Sequence, residues 1–267
     1  MLEKIINHII DGKQNNLYIG KDGLLSTDGS KTPATWMDAI KTNGLPVVPR
    51  TGYVVEFNAL WYNALMFATT IFEEQGKSPE RIYKWKETAE SLKTAFVETF
   101  LNDYGYLYDY VDGNYMDLSV RPSMLIAVGC DFSPLDKSQR KKVLDFVTRE
   151  LLTPNGVRTL SPKSFGYNPF FVGNKVQRQL ASFNGPTRPW MTGFYTDAYL
   201  KVFGHSGVAF LRRMLIGYED DMTRECIGSI SELYDGNPPY TGHGAISFAP
   251  SIGSVLRALA TLNSFDV

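Results

Sequence analysis

Val55-Glu56-Phe57-Asn58-Ala59-Leu60-Trp61-Tyr62-Asn63-Ala64-Leu65, running on to Phe72, is the stretch that decides the fold. Phe57, Leu60, Trp61, Ala64, Leu65, Ala68, Ile71 and Phe72 recur at steps of three and four residues, the period of a helix. The stripe is wide, of the kind that packs on two neighbours at once. A second helix follows closely. Ser78-Pro79-Glu80 offers an N-cap, a proline at the first helical position and an acid in the first turn, ahead of Ile82, Trp85, Ala89, Leu92, Phe96 and Phe100 on one face. Asp136 with Gln139 reads as a capping box opening a helix through Val143, Phe146 and Leu151, stopped by Pro154 and Gly156. Further helices are predicted at about 1–10, 119–129, 192–203, 206–230 and 250–263. The fold class is therefore all-α, with about eight helices.

The chain has 267 residues and a mass of 30.0 kDa. That is enough to bury a core without disulfides or structural metal. Lys+Arg 27 against Asp+Glu 28 leaves a net charge of -1, so no uniform field exists to grip nucleic acid or an anionic membrane. No run approaches the ~18 apolar residues of a membrane span, and the start MLEKIINHII is an amphipathic helix end rather than a signal peptide. Cys130 and Cys226 have no metal spacing and read as buried free thiols of a reducing compartment. The expected location is the cytoplasm. Aromatic residues make up 13% of the chain, which raises the question of how many line a binding surface.

Long connections at 11–55, 103–117 and 154–190 hold most of the Gly, Pro and loop aromatics, and connections of this length are more often functional than idle. Only Gly105 to Tyr110 hints at a strand, as a short hairpin arm. Common chemistries are excluded cheaply. Gly76-Lys77-Ser78 lacks the first glycine of a phosphate loop, there is no G-x-S-x-G, and His8, His205 and His243 are too scattered for a metal cluster. What remains is carboxylates in loops rich in Trp, Arg, Gly and Pro. Thr35-Trp36-Met37-Asp38 sets an acid beside an indole, and Ser231-Glu232-Leu233-Tyr234-Asp235-Gly236 supplies a second carboxylate at a turn. A pyranose offers hydroxyls to Arg, Glu and Asn and an apolar C–H face to an aromatic ring, so this mixture suits a sugar.

Several longer strings carry a family resemblance: TWMDA (35–39), PVVPR (46–50), VEFNALWYNAL (55–65), FSPLDKSQ (132–139), ELLTPNGVRTLSP (150–162), RPWMTGF (188–194) and IGSISELYDGNPP (227–239). Together, from about residue 20 to 260, the chain resembles the C-terminal amylo-α-1,6-glucosidase domain of glycogen debranching enzymes. The resemblance implies an (α/α)6 toroid of helix hairpins, with a pocket for a terminal glucose at one end. It also implies inverting hydrolysis of α-1,6 branch linkages, with Asp38 as general acid, Glu232 as general base and an α-glucan or branched maltooligosaccharide as partner. No metal or organic cofactor is required. An inverting pair stands roughly 6.5–9.5 Å apart, and burial against Trp36 would keep Asp38 protonated.

Alternatives stand beside these roles. Without the family string Asp38 reads as a helix cap or solvated charge, and Glu232 as a surface acid at a helix end. Arg50, Glu56 and Arg121 read equally as a structural ion-pair set or as pocket lining. Trp61, Phe57, Trp85 and Phe100 read as core, loop-borne Trp36 and Trp190 as sugar platforms, and His243 as part of a flexible turn. The chain departs from the family pattern at Phe183-Asn184-Gly185-Pro186-Thr187-Arg188-Pro189-Trp190, at Ser123 and at His243 to Pro250. These changes admit two other readings: a carbohydrate-binding fragment without turnover, or a glycosidase of the same fold acting on another α-glucoside. A closed double ring needs about twelve helices. Residues 1–267 thus read as a single domain, the later two-thirds of such a ring, whose open faces call for an upstream domain of the same protein or for self-association.

Overall fold

The computed structural model of the chain describes residues 1–12 and 15–265. Nine α-helices occur among them: α1 (Leu2–Ile10), α2 (Val55–Glu74), α3 (Pro79–Phe100), α4 (Met124–Gly129), α5 (Lys137–Leu151), α6 (Lys175–Ala181), α7 (Thr192–Phe203), α8 (Val208–Ile216) and α9 (Ala249–Asn263). All but α6 alternate between two layers along the chain. Helices α2, α4, α7 and α9 pack each on the next as an inner row, while α1 and α3 cover α2, α5 covers α4 and α7, and α8 covers α9. Burial follows this layering. Every residue of α4 is buried, whereas α3 buries only the stripe Trp85, Ala89, Leu92, Phe96 and Phe100, as an outer helix with one apolar face should. Phe72 meets Trp85 edge-on at 4.8 Å, closing the α2–α3 hairpin.

Turns from inner to outer helices are short, and connections from outer to inner helices are long. The latter carry ten short strands: β1 (Tyr18–Ile19), β2 (Leu25–Asp28), β3 (Thr51–Val54), β4 (Tyr110–Asp112), β5 (Tyr115–Met116), β6 (Leu152–Thr153), β7 (Gly156–Arg158), β8 (Thr187–Arg188), β9 (Leu233–Tyr234) and β10 (Gly242–His243). They form two antiparallel sheets, ordered β1-β2-β3-β4-β5 and β10-β9-β8-β7-β6. The β3–β4 pairing joins the connections that enter α2 and α4, and β8–β9 joins those that enter α7 and α9. The Ser161 amide donates to the Val120 carbonyl at 3.0 Å and links the two sets. All four inner helices therefore begin at one end of the molecule, and the long connections gather there.

Several expectations need correction. The strand expected at 105–110 lies at 110–112, because Gly113 (φ +57°) makes the turn back to β5. The helix expected over 119–129 begins only at Met124, after a turn at Pro122 and Ser123. The helix expected over 206–230 ends at Ile216, since Gly217 presses on the Pro154 carbonyl so closely that a Cβ would stand 2.3 Å from it. Ser78 makes no side-chain cap, whereas Asp136 and Gln139 form the expected capping box. Helix α6, not expected, opens on a second capping box from Asn174 and Gln177. Trp61, Trp85 and Phe100 are core, but Phe57 is only partly buried and lines an apolar groove between α1 and α2. Both cysteines are free, and Cys226 is only partly buried. Among the described residues no helix is long and apolar enough to cross a membrane.

Candidate active site

Each of the four long connections brings one part of the site. The first supplies Trp36 and Asp38, on a segment whose Met37, Val47 and Val48 form a small apolar cluster with Phe183 of the third. Apolar burial thus turns Trp36 inward. Its ring meets Phe183 at 5.4 Å and Trp190 at 5.1 Å, both edge-on, and its Nε1 donates to Ser123 Oγ at 3.3 Å, just before α4. Asp38 is left on the outer side of the loop and is exposed. The expected burial of Asp38 against Trp36 is therefore overturned: the indole is spent on Phe183 and Trp190.

Glu232, from the fourth connection, is about one quarter exposed and is held at both oxygens. Arg188 Nη1 donates to Oε1 at 2.8 Å, and the Ala245 amide donates to Oε2 at 3.2 Å. Gly244 lies so close that a Cβ would approach Oε2 to 2.5 Å. Arg188 is buried and lies over the Phe183 ring, 4.9 Å from its centroid. Burial lowers its pKa, with Glu232 and then Asp38 pulling the other way. Glu232 thus pairs directly with Arg188, while Asp38, from another connection, only adds to the negative charge that favours the guanidinium.

Arg50, Glu56 and Arg121 are 1%, 2% and 5% exposed, so they do not line an open pocket as one reading expected. They form a buried strut instead. Arg50 grips Glu56 with both terminal nitrogens, its Nη2 reaching Oε2 at 2.6 Å, and its Nε lies 2.8 Å from Asp109 Oδ2. Arg121 stands 3.7 Å from Asp109 and donates to the carbonyl of Phe183 at 2.6 Å, to that of Thr159 and to Asn184 Oδ1. The strut therefore runs from the start of α2 to the backbone that carries Phe183. Burial pushes Asp109 up to about 6 against the pull of Arg50 and Arg121. Burial also disfavours the Arg50 charge, but Asp109 and Glu56 outweigh it and raise its pKa.

Arg188, Phe183 and Asp109 hold the candidate residues or the backbone beneath them in place, a role the sequence alone did not mark. Arg188 stood in plain view in RPWMTGF, two residues from Trp190, but nothing local marks it as the partner of a carboxylate 44 residues away. His243 proves anchored rather than flexible: it lies in β10 and its Nε2 is 3.0 Å from Asp235 Oδ1, which also accepts from the Phe171 amide.

A family model described as amylo-alpha-1,6-glucosidase matches residues 1–257. The chain is 22% identical over 237 residues to the glycogen debranching enzyme of Saccharomyces cerevisiae, a match covering 73% of this chain and 15% of that protein. Among solved structures it is similar to a GH63 mannosylglycerate hydrolase from Thermus thermophilus determined with glucose (TM-score 0.54, 15% identity, 78% of this chain and 48% of that one). It is likewise similar to the neutral trehalase of Saccharomyces cerevisiae (TM-score 0.56, 16% identity, 78% and 39%). The chain thus spans less than half the length of each of these proteins. Its alternation of outer and inner helices is the (α/α)6 toroid architecture of those glycosidases, present here in part. With the family model matched over nearly its whole length, the chain belongs to the amylo-alpha-1,6-glucosidase family.

Proposed function

We propose that this chain forms the catalytic face of a glycoside hydrolase of the glycogen-debranching type, which removes an α-1,6-linked glucose with inversion. Asp38 is the general acid that protonates the leaving oxygen, and Glu232 is the general base that activates water. The observation that carries this reading is the Glu232–Arg188 ion pair at 2.8 Å, with Asp38 on the same loop as Trp36, whose ring meets that of Trp190, at the end where the inner helices begin. Arg188 and the Ala245 amide fix the Glu232 carboxylate, as a base aimed at one water requires. Asp38 is exposed, two residues from Trp36, where a sugar can reach it. A neutral polysaccharide also suits a chain with a net charge of -1.

The experiment is glucose release from an α-1,6-branched limit dextrin by the full-length protein and by Asp38→Asn. Release lost in the variant supports the role of Asp38, and undiminished release overturns it. A second reading, carbohydrate binding without turnover, draws on the same ion pair, because both Glu232 oxygens are already engaged. Titration with maltooligosaccharides separates the two: binding without hydrolysis favours the second reading, and rapid glucose release refutes it. A panel of other α-glucosides tests the substrate.

A further inference from the structure

A groove of about 690 Å³ lies between the second and third long connections and the C-terminal half of α5. That is within the ~300–1,000 Å³ of ligand pockets. Its floor is aromatic: Tyr106 and Phe146 stack with ring centroids 4.4 Å apart. Its lips are Tyr115, 57% exposed, and Phe165, which stands fully in solvent. Between the rings lie hydroxyl and charged groups, including Ser119 and Ser164, with Lys163 paired to Glu150 at 2.8 Å. Asp117 and Glu150 balance Arg149 and Lys163 along the lining, so the groove offers an ion no net attraction. Rings for apolar C–H faces, with donors and acceptors around them and no net charge, are the chemistry of a neutral sugar chain.

The groove is tied through the chain to the candidate active site. Val120 lines it, and the next residue, Arg121, holds the Phe183 backbone of the site. We propose that this groove is a second α-glucan-binding site, which holds one outer chain of a branched glucan while another chain end lies at Asp38 and Glu232. The proposal rests on the carbohydrate reading above but not on the catalytic roles of those carboxylates.

The test is retention of the protein on native gels containing glycogen, alongside hydrolysis of a branched oligosaccharide too short to reach both places. Tyr115→Ala with Phe165→Ala is expected to weaken retention about tenfold, the scale of losing two ring contacts, with short-substrate hydrolysis unchanged. Tyr115→Phe with Phe165→Tyr keeps both rings and is expected to retain glycogen as the native protein does. Both residues are exposed, so neither pair of changes threatens folding. Native retention in the double-alanine variant overturns the groove. So does a native protein that hydrolyses the short substrate yet is not retained. Retention lost in the double-alanine variant of a protein without hydrolysis supports the groove and instead refutes catalysis.

Discussion

Glu232, just before β9, is positioned by three neighbours distant in sequence, namely Arg188, the Ala245 amide and the close backbone of Gly244. The last gives a clean substitution. At φ +76° with a Cβ 2.5 Å from Oε2, Gly244→Ala costs about 1–2 kcal/mol of backbone strain and pushes the carboxylate from its place. Misplacing a catalytic group by an ångström costs on the order of 10²-fold in rate. We expect kcat to fall by that order while thermal unfolding shows only a modest loss; unchanged kcat would mean that Glu232 needs no fixed position. At this scale the sequence was partly legible. Asp38 and Glu232 stood out through their strings, and Trp36 and Trp190 as loop rings suited to a sugar; the structure sets those two rings edge-on at 5.1 Å. Arg188 was not visible, because an ion pair between separate connections leaves no periodic or local trace.

The elements meet at a buried strut of Arg50, Glu56, Asp109 and Arg121, which ties β3 and α2 to the second and third connections. Such a network is costly to bury and strongly destabilising to break on one side. Asp109, raised to about 6, holds its proton more tightly folded than unfolded, where an aspartate titrates near ~3.9. Its stabilising contribution is therefore complete below ~4 and is lost as pH rises through 6. Denaturant unfolding of the native chain and of Asp109→Asn at pH 4.5 and 7.5 checks this. The native advantage should shrink at the higher pH, whereas an advantage that grows would show that the two arginines outweigh burial. Helices were legible because their stripes persist over many turns, as in α2, α3 and α5. Of the ten strands only one was hinted at, a few residues from β4, because runs of two to four residues are too short for alternation to register.

Across the whole molecule, the inner row ends in two unequal helices with apolar faces. Leu60 and Phe67 of α2 are 43% and 49% exposed, and Leu256 and Leu259 of α9 are 59% and 36% exposed, each set on one helical face. Faces of that kind in water favour association. Sedimentation of the 267-residue chain alone should show concentration-dependent oligomers that Phe67→Glu with Leu256→Glu returns to monomer; a native monomer at all concentrations would contradict this. The shortfall of helices against a closed ring was readable from the sequence, since it needs only counting, but which faces stay open needed the packing order. What that order achieves is to gather four connections at one end, where Glu232 pairs with Arg188 and the loop of Asp38 packs on Phe183. The most direct test of Asp38 and Glu232 as acid and base is proton NMR of the glucose first released from an α-1,6-branched dextrin by the full-length protein. β-Glucose should appear first, with release lowered roughly 10²–10⁴-fold in both Asp38→Asn and Glu232→Gln. α-Glucose as the first product, or undiminished release in either variant, would contradict it.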